Sequence, residues 1–552
     1  MQKDTTIMIL TGSKISSELA SVFGELPSAL VPVNNRPAIF WTLERFINEG
    51  FDKFVICVGY KKEKIEYFVK NNFSKRANIE FVEVDQEKKP GNSFLMGLKC
   101  VNTGKLLVIL GDTLIYDNLG LDYENDAILI SDDFKREESY RWALALNDSG
   151  FLKEIFDKVR SVDQKIDDKN ISLIIGIYFF TDTALLKEIS QHITKEKNIE
   201  IGEILCKYNN KKPIKLVNYK YWFDFGHLDK YYPSAKKFLQ YQSRYFNFLQ
   251  YDDILNIITK KSKDKTKFNN EIKWYLSIPD ELRILAPRVV DYRVGEKPFL
   301  TLEYYGYPTL SELYVFGDLH DFVWQNIIDR VMIIMRMFYR KKGRVSKDEY
   351  FEMYLGKLES RVNKLIRINP KFKDIFQYET VIINKKEYIN FAGIKEKIFS
   401  KIKELYSRED NCFIHGDFCF STILYDTKNG ITRIIDPRGS WGKSCYGDIK
   451  YDVAKLRHSI TGQYDFITNN LFNAQLEGNK IDYRIFDQEK HLFLSQYFDS
   501  KIEKYWDLEQ IKFIEGLLFL SMLPIHNDYF ERQLVMYSIG IQRLNEVINK
   551  SR

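Results

Sequence analysis

Asp417 and Asp436 have the residue type and the spacing that transfer of a phosphoryl group requires. Asp417 closes the tripeptide His415-Gly416-Asp417, which follows an apolar, strand-like segment. Asp436 follows a second apolar segment, residues 431–435. Such a reaction needs one group that orients an attacking hydroxyl and accepts its proton, and another that holds Mg²⁺ against the nucleotide phosphates. We predict the first role for Asp417 and the second for Asp436.

The segment around these aspartates resembles the catalytic loop of the aminoglycoside phosphotransferase and choline kinase family, which reads HxDxxxxN. The resemblance implies catalytic roles for His415 and Asp417. The family's second metal ligand, an Asn, is replaced by Thr422, so Thr422 is predicted as a neutral metal ligand, with help from Ser421 as the alternative. The other interpretation is a structural loop whose Asp caps a helix and whose His packs in the core.

Lys260 ends a strand-like segment, and Glu271 lies on the helix predicted to follow it. The kinase resemblance implies that Lys260 binds the nucleotide phosphates and that Glu271 holds it in place. Lys261 is the alternative lysine. The cofactors implied are ATP and Mg²⁺.

The segment 302–306 resembles the hinge that connects the two lobes of such kinases. Only its position supports this interpretation, since apolar strands that contain an acidic residue are common. It implies that Glu303 and Tyr305 contact the base of the nucleotide.

The residues after Asp436 leave the acceptor open. Arg438 and Asp452 either contact the acceptor or brace the loop. A choline acceptor would need an aromatic or acidic cage for a quaternary ammonium, to which Trp441 and Tyr446 could contribute. A sugar or polyol acceptor would instead be held by hydroxyl contacts with Asp and Arg side chains.

A second pair of carboxylates, Asp112 and Asp224, occurs in the first part of the chain. Asp112 follows a buried-strand pattern, and Asp224 lies in the sequence Trp-Phe-Asp-Phe-Gly. Residues 1–240 resemble the sugar-phosphate nucleotidyltransferases, in which a phosphomonoester attacks the α-phosphate of a nucleoside triphosphate. Because two anions must meet, Mg²⁺ between carboxylates is required. The resemblance implies that Asp112 and Asp224 bind that metal; a turn or an ion pair is the structural alternative.

The loop after the first strand, Gly12-Ser13-Lys14, is predicted to hold the nucleotide phosphates with its backbone N–H groups. The nucleotide implied is CTP or another nucleoside triphosphate. The family's loop carries a GxGxR pattern, so Lys14 replaces its Arg only in part. The family's phosphate-contacting Lys is Ser28 in this chain, and one positive charge for the transition state is therefore missing.

These sites require elements that place them at strand ends. Short apolar runs that alternate with amphipathic segments predict an α/β domain over residues 1–240, Rossmann-like, with a mostly parallel sheet and helices on both faces. A two-lobed, protein-kinase-like α+β domain is predicted after it, with a small β-rich lobe over 241–308 and a mainly helical lobe over 309–552. A long helix is predicted over residues 228–251.

Composition supports a globular enzyme. The chain has 552 residues and a net charge of +6 from 82 basic and 76 acidic residues, with no Arg-rich block, so nucleic-acid binding is not expected. The cysteines form no CxxC pair, which argues against a zinc site. Neither a secretory signal nor a bilayer-spanning segment is predicted, and we expect a cytoplasmic protein that can form homo-oligomers.

Three hypotheses follow. The first is a bifunctional enzyme that phosphorylates a small alcohol or sugar and joins the phosphomonoester to a nucleotide, resembling fused cytidylyltransferase and kinase proteins of capsule or lipopolysaccharide synthesis. The second is a kinase whose N-terminal domain only binds a nucleotide or nucleotide-sugar. The third is a regulatory protein in which both centres are impaired.

Overall fold

A computed structural model describes residues 2–133, 141–157, 170–193, 198–246, 248–440, 444–486 and 490–550. The chain divides into two compact units, Met1–Tyr241 and Gln242–Arg552. No helix among these residues is long and apolar enough to cross a membrane.

The N-terminal unit alternates strands and helices. Its strands are β1 (Thr5–Thr11), β2 (Pro32–Val33), β3 (Arg36–Pro37), β4 (Lys53–Val58), β5 (Asn78–Glu83), β6 (Lys105–Leu110), β7 (Thr113–Ile115), β8 (Ala127–Ser131), β9 (Ala143–Asp148), β10 (Phe151–Asp157), β11 (Ile171–Phe180), β12 (Lys215–Asn218) and β13 (Trp222–Asp224). Its helices are α1 (Ser17–Phe23), α2 (Ala38–Asn48), α3 (Lys62–Phe73), α4 (Pro90–Leu98), α5 (Thr183–Gln191) and α6 (Ile201–Asn209). A further helix, α7 (Leu228–Phe246), begins in this unit and ends in the next.

Nine of these strands form one sheet in the order β5-β4-β1-β6-β11-β8-β12-β10-β9. The predicted α/β class is confirmed, but the prediction of a mostly parallel sheet is wrong. Strands β5, β4, β1 and β6 are parallel, whereas β11 runs antiparallel to β6, β8 and β9. Every residue of β11 is buried, so its apolar run carries no signal of direction.

A glycine lies at an irregularity in the pairing of β11 with β8. Gly176 lies in β11 with φ of 81°, where the pairing with β8 shifts register between Ile174 and Tyr178. A Cβ at position 176 would lie 2.5 Å from Cδ1 of Leu110. Only glycine combines this dihedral angle with so close an approach.

The C-terminal unit begins with a four-stranded antiparallel sheet in the order β14 (Phe248–Asp252), β15 (Ile257–Lys261), β17 (Phe299–Glu303) and β16 (Val289–Arg293). One helix, α8 (Lys265–Ser277), lies between β15 and β16 in the chain; the Asp264 side chain caps it by accepting from the Lys267 backbone N–H. The long helix predicted over 228–251 is therefore too long. Residues 248–252 pair with β15 instead, because aromatic and leucine residues also suit a strand.

The rest of this unit is mainly helical and carries short strand pairs. The helices are α9 (Leu310–Val315), α10 (Asp321–Tyr339), α11 (Lys347–Phe351), α12 (Lys357–Ile368), α13 (Pro370–Ile375), α14 (Phe391–Glu404), α15 (Ile449–Ile460), α16 (Tyr464–Thr468), α17 (Lys490–Ile502), α18 (Leu508–Met522) and α19 (Phe530–Lys550). The strands are β18 (Thr380–Ile383), β19 (Lys386–Ile389), β20 (Asn411–Phe413), β21 (Ile423–Asp426), β22 (Ile431–Ile434), β23 (Tyr446–Asp448), β24 (Phe472–Glu477) and β25 (Lys480–Ile485).

Two of these hairpins, β18–β19 and β24–β25, were not predicted. Together they form a four-stranded sheet in the order β19-β18-β25-β24, although both parts of the chain were predicted to be mainly helical. The short pair β20–β23 and the hairpin β21–β22 carry the loops that contain Asp417 and Asp436. These small strand pairs therefore position the predicted catalytic residues.

Two candidate active sites

In the C-terminal unit, Lys260 lies between two carboxylates. Its Nζ is 2.9 Å from Glu271 Oε1 and 2.8 Å from Asp436 Oδ1. Burial alone would lower the pKa of Lys260, but the charges of Asp436 and Glu271 raise it above its usual range. Lys261 is exposed, because successive side chains of a strand point to opposite faces. The geometry therefore selects Lys260 over its neighbour.

Asp436 occupies a strained turn two residues after the end of β22. Its φ is 55°, a left-handed conformation that costs a non-glycine residue about 1–2 kcal/mol. The turn is held where the Ile435 N–H donates to the Thr422 carbonyl (2.9 Å) and the Arg438 N–H donates to the His415 carbonyl (3.0 Å). Strain that surrounding contacts maintain is frequent at functional sites. The Asp436 side chain is 56% exposed and faces Lys260.

Asp417 lies in the loop that follows β20, with its side chain 43% exposed. Its Oδ1 is 2.7 Å from Lys455 Nζ on α15 and 4.0 Å from Cys419 Sγ. Burial would raise the pKa of Asp417, but the ammonium of Lys455 outweighs it and the pKa is lowered. Asp417 is therefore ionised at neutral pH, and a role for it in receiving a proton stays a prediction.

His415 is fully buried and links the two loops. Its Nε2 lies 3.1 Å from the Ile435 carbonyl, and its ring packs edge-on against Trp274 and Phe418. Burial lowers the pKa of His415 to about 4, so the imidazole is neutral and Nε2–H donates to Ile435. This geometry favours a positioning role for His415 over the catalytic role predicted from the sequence.

Asp452 anchors the backbone of the same loop from α15. It is completely buried, and its Oδ2 and Oδ1 accept from the N–H groups of His415 (2.7 Å) and Gly416 (2.9 Å). Burial raises the pKa of Asp452 to about 7. Of the two roles left open by the sequence, these contacts favour bracing over contact with the acceptor.

Thr422, predicted as a metal ligand, uses its hydroxyl within the loop. Its Oγ1 is 2.8 Å from the Asp417 carbonyl and 3.0 Å from the Cys419 carbonyl. Over the described residues, no group of three or more His, Cys, Asp or Glu side chains is arranged to hold a metal. Mg²⁺ bound with a nucleotide commonly takes only one or two carboxylates, and the exposed carboxylate of Asp436 fits that requirement. A metal contact by Thr422 stays a prediction.

The predicted hinge residues lie at the end of the small sheet. Glu303 is the last residue of β17, and its Oε2 accepts from the Tyr305 hydroxyl at 3.0 Å. The Arg433 guanidinium lies 4.8 Å from the Tyr305 ring centroid. Both residues are half-buried, and their contact with a nucleotide stays a prediction.

Of the two aromatic residues considered for a choline cage, Trp441 lies outside the described residues. Tyr446 packs against the core: a Cβ at Gly343 would lie 1.9 Å from Tyr446 Cδ1, and its ring meets Phe413 edge-on. This contact favours the structural interpretation of Tyr446.

In the N-terminal unit, Asp112 and Asp224 converge on one point. The short pairing of β7 with β13 sets them side by side, and the Phe225 N–H donates to the Asp112 carbonyl at 3.0 Å. A Cβ at Gly226 would lie 2.7 Å from Asp112 Oδ2 and 3.3 Å from Asp224 Oδ1. Glycine at this position therefore keeps the space between the two carboxylates open, and the pair fits a divalent cation.

The sequence analysis missed His227 at this site. Its Nδ1 is 2.8 Å from Asp224 Oδ2, and that hydrogen bond raises the pKa of His227. The Gly226 N–H donates to Asp224 Oδ1 at 2.8 Å. Both oxygens of Asp224 are thus engaged, and the signal available in the sequence was a histidine three residues after the aspartate.

The loop after β1 is tightly packed. A Cβ at Gly59 would lie 2.5 Å from the Gly12 carbonyl oxygen. Ser13 Oγ lies 3.1 Å from Ser28 Oγ, and Ser28 is buried. Lys14 Nζ forms an exposed ion pair with Glu25 at 3.3 Å. The structure therefore places Lys14, the one cation of this loop, in a surface ion pair, and Ser28 in a buried position beside Ser13.

Two relatives and one solved structure each match less than half of the chain. The chain is 23% identical over 244 residues to a D-glycero-α-D-manno-heptose 1-phosphate guanylyltransferase of Aneurinibacillus thermoaerophilus, which covers 42% of this chain and 98% of the relative. It is 22% identical to a choline-phosphate cytidylyltransferase of Streptococcus pneumoniae over 34% of this chain and 75% of the relative.

A solved UDP-glucose pyrophosphorylase complexed with UDP-glucose aligns with a TM-score of 0.36 and 19% identity, over 43% of this chain and 98% of the other. No protein-family model matches the chain. With the paired carboxylates at the ends of β6 and β13, the sequence matches lead to one conclusion: the N-terminal residues, up to about 240, resemble the sugar-phosphate nucleotidyltransferases.

Proposed function

We propose that this chain is a bifunctional enzyme. Its C-terminal unit transfers the γ-phosphate of ATP to a hydroxyl of a small alcohol or sugar. Its N-terminal unit then transfers a nucleotidyl group from CTP or another nucleoside triphosphate to the phosphomonoester. The observation that carries the proposal is Lys260 held between Glu271 and Asp436, with Asp417 on the neighbouring loop.

The C-terminal residues divide the work of phosphoryl transfer. Lys260 binds phosphate oxygens, and Glu271 keeps its ammonium in place. Asp436 holds Mg²⁺, which supplies positive charge to the nucleotide phosphates. Asp417 orients the acceptor hydroxyl and receives its proton while the hydroxyl oxygen bonds to the γ-phosphorus and ADP leaves with the former bridging oxygen.

The N-terminal residues serve the second transfer. Asp112 and Asp224 hold the cation that reduces repulsion between two phosphates. Backbone N–H groups of the loop Gly12-Ser13-Lys14 bind the triphosphate. The phosphomonoester oxygen attacks the α-phosphorus, and pyrophosphate leaves.

The two reactions form a sequence. The phosphomonoester made by one unit is the substrate of the other, and joining the units in one chain raises the local concentration of that intermediate. The product is an alcohol or sugar linked to a nucleoside diphosphate. We propose that it serves as an activated precursor for capsule or lipopolysaccharide.

The proposal is tested with purified protein, Mg²⁺, ATP and each of CTP, GTP and UTP, over a panel of alcohols, sugars and phosphomonoesters. ADP formation reports the first reaction and pyrophosphate release the second. Asp417→Ala should abolish only the first, and Asp112→Ala only the second. ATP-dependent phosphorylation that persists in Asp417→Ala would contradict the kinase assignment.

A second candidate function is favoured by the N-terminal loop. Because Ser28 replaces a phosphate-contacting lysine and Lys14 pairs with Glu25, the N-terminal unit could bind a nucleotide without catalysis. In that case nucleotide binding would be measurable and pyrophosphate release would stay at the level of Asp112→Ala.

A further inference from the structure

Lys455 is a buried lysine that contacts Asp417 from a different part of the chain. It lies on α15, and its Nζ is 2.7 Å from Asp417 Oδ1. The side chain of Lys455 is 8% exposed, whereas that of Asp417 is 43% exposed. The ammonium therefore lies on the protein side of this ion pair, and the carboxylate lies on the solvent side.

The carboxylate of Asp417 has few other contacts. Within the described residues, the only other hydrogen-bond donor to it is the Cys419 thiol, whose Sγ lies 4.0 Å from Oδ1. A thiol is a weak donor. The carboxylate of Asp452, by contrast, accepts from two backbone N–H groups. The orientation of the Asp417 carboxylate therefore depends on Lys455.

The ammonium of Lys455 depends on Asp417 in turn. Among the residues that the structure describes, its other contacts are the Met522 thioether at 3.9 Å and the Tyr464 ring, whose centroid is 5.9 Å away. A thioether sulfur is a weak acceptor, and a distance of about 6 Å is the limit for a cation above a ring. Asp417 is therefore the principal partner of this buried charge.

Three residues of α15 follow the catalytic loop in order. Asp452 accepts from the N–H groups of residues 415 and 416, Lys455 contacts the side chain of residue 417, and Ser459 Oγ accepts from the N–H of residue 420 at 3.1 Å. Their spacing of three and four residues places them on one face of the helix. This face therefore holds the backbone of the loop at two points and the side chain of Asp417 between them.

The exposure of the two partners argues against a purely structural ion pair. A carboxylate that is 43% exposed is solvated by water and needs no buried partner to stay ionised. Removing an ammonium from water costs free energy, which an apolar residue at position 455 would avoid. The pair is therefore best explained by its effect on the placement of Asp417.

We propose that Lys455 is a positioning residue for phosphotransfer: its ammonium holds the Asp417 carboxylate in the orientation in which Asp417 meets the acceptor hydroxyl. This inference rests on the proposed phosphotransfer function and adds a residue to it. In the transfer, the hydroxyl oxygen bonds to the γ-phosphorus, the bond from that phosphorus to the β–γ bridging oxygen breaks, and the proton passes to Asp417. Lys455 forms no bond and gives up no proton in this step.

The ammonium contributes orientation rather than proton affinity. A positive charge beside a carboxylate makes it a weaker base, so Lys455 does not strengthen Asp417 as a proton acceptor. Phosphoryl transfer depends mainly on positioning and electrostatic stabilisation, because its transition state is loose. A carboxylate that rotates freely would therefore lose the alignment with the hydroxyl on which the rate depends.

The test compares Lys455→Met with the wild type in steady-state ADP formation, over the panel of alcohols and sugars used for the first reaction. Methionine keeps the length of the side chain and removes the ammonium. We expect kcat to fall at least about tenfold, since a small misplacement near the reacting groups costs up to about 10²-fold in rate. KM for ATP should change by less than about twofold, because the proposed contacts of Lys260 and Asp436 with the nucleotide are untouched.

A double variant shows whether Lys455 acts through Asp417. If it does, adding Lys455→Met to Asp417→Asn should change the residual rate by less than about twofold, since losses in one functional unit are not additive. Lys450→Met is the matched control, because Lys450 is also buried on α15 and its Nζ lies 3.0 Å from a different carboxylate, that of Asp410. It should leave kcat within about twofold of the wild type.

Thermal unfolding checks the fold of each variant, and Lys455→Gln takes the place of Lys455→Met in every comparison if the methionine variant does not fold. A wild-type kcat in the Lys455 variant overturns the proposal. An equal fold-decrease with and without Asp417→Asn, or the same decrease in Lys450→Met, also overturns it. In these cases the wild type still transfers phosphate, so the kinase assignment stands. Wild-type protein that forms no ADP with any acceptor overturns the kinase assignment, and this inference with it.

Discussion

The two candidate sites differ in what identifies them. The N-terminal unit is matched by a relative over nearly the relative's whole length, yet Ser28 is buried beside Ser13 and Lys14 pairs with Glu25 at the surface. The relatives described above match the N-terminal part of the chain and do not extend over the C-terminal unit. In that unit, however, Lys260 Nζ lies 2.9 Å from Glu271 Oε1 and 2.8 Å from Asp436 Oδ1. Overall similarity reports the fold, whereas chemistry depends on a few charges whose positions must be examined individually.

The carboxylates at the two sites also differ in their partners. Asp436 Oδ1 lies 2.8 Å from the Lys260 ammonium, and Asp417 Oδ1 lies 2.7 Å from the Lys455 ammonium. Asp224 is held by its own following residues, Gly226 and His227. The C-terminal carboxylates are therefore paired with lysines that are distant in the chain, whereas Asp224 is held by local contacts.

Asp417→Asn tests the C-terminal site with the largest expected effect. Loss of the group that receives the proton should lower kcat for ATP-dependent transfer by about 10³-fold, within the range for general-base catalysis. Steady-state ADP formation measures it. Asp482→Asn, on the exposed face of β25, should leave kcat unchanged. A decrease in kcat of less than about fivefold in Asp417→Asn would contradict the proposed role of Asp417 in receiving the proton.

Comparing Lys260→Met with Lys261→Met tests which of two neighbouring lysines of β15 binds ATP. Lys260→Met should lower kcat/KM for ATP by about 10²-fold, because a cation on the phosphates is lost. Lys261→Met should change it by less than about twofold, since an exposed charge contributes little. Equal losses in the two variants would mean that the contacts with Glu271 and Asp436 do not select the working lysine.

Asp452→Asn tests how the Asp452 carboxyl stabilises the loop that contains Asp417. Replacing one acceptor oxygen by an amide leaves a buried N–H unpaired, which should lower the free energy of unfolding by about 2 kcal/mol at pH 5. Because the folded pKa of Asp452 is raised from 3.8 to about 7, its protonated form stabilises the native state below pH 3.8, and this is lost as pH rises through 7.

The difference in stability between wild type and Asp452→Asn should therefore shrink from pH 5 to pH 7, as measured by urea unfolding. A difference that grows with pH would show that the charged form of Asp452 is the stabilising one. Glu404→Gln, at the exposed end of α14, is the control.

Lys14→Met gives the smallest expected effect and tests the N-terminal loop. Because Lys14 is exposed and paired with Glu25, its loss should lower pyrophosphate release by less than about fivefold. Glu18→Gln, an exposed acid on α1, is the matched control. A loss of about 10²-fold would mean that Lys14 leaves Glu25 to bind the triphosphate, and the contrast with Lys260 would fail.

The sequence predicted the parts of the molecule in which local pattern and local chemistry agree. Apolar runs and intervening helices gave the α/β class, and the strand, helix and turn that hold Lys260, Glu271 and Asp436 lie close to where they were predicted. The direction of β11 escaped prediction because a strand buried on both faces looks the same in either direction.

Three other features were not predicted, because their sequence signals are weak or join residues far apart in the chain. The turn between β18 and β19 uses Asn384 and Lys385 with φ of 47° and 67°, so it lacks the glycine that usually marks such a hairpin. The contact of Lys455 with Asp417 joins residues far apart in the chain, and no local spacing reveals it. A single histidine is more often structural than functional, so His227 carried little signal in the sequence.

The most direct test follows a labelled γ-phosphate from ATP through both sites, in Mg²⁺, a mixture of nucleoside triphosphates and a panel of small alcohols and sugars. The account predicts label first in a phosphomonoester and then in a product linked to a nucleoside diphosphate. Asp417→Asn should block both, and Asp112→Asn only the second. Label transfer that is unaffected by Asp417→Asn, or label found only in inorganic phosphate, would contradict the account.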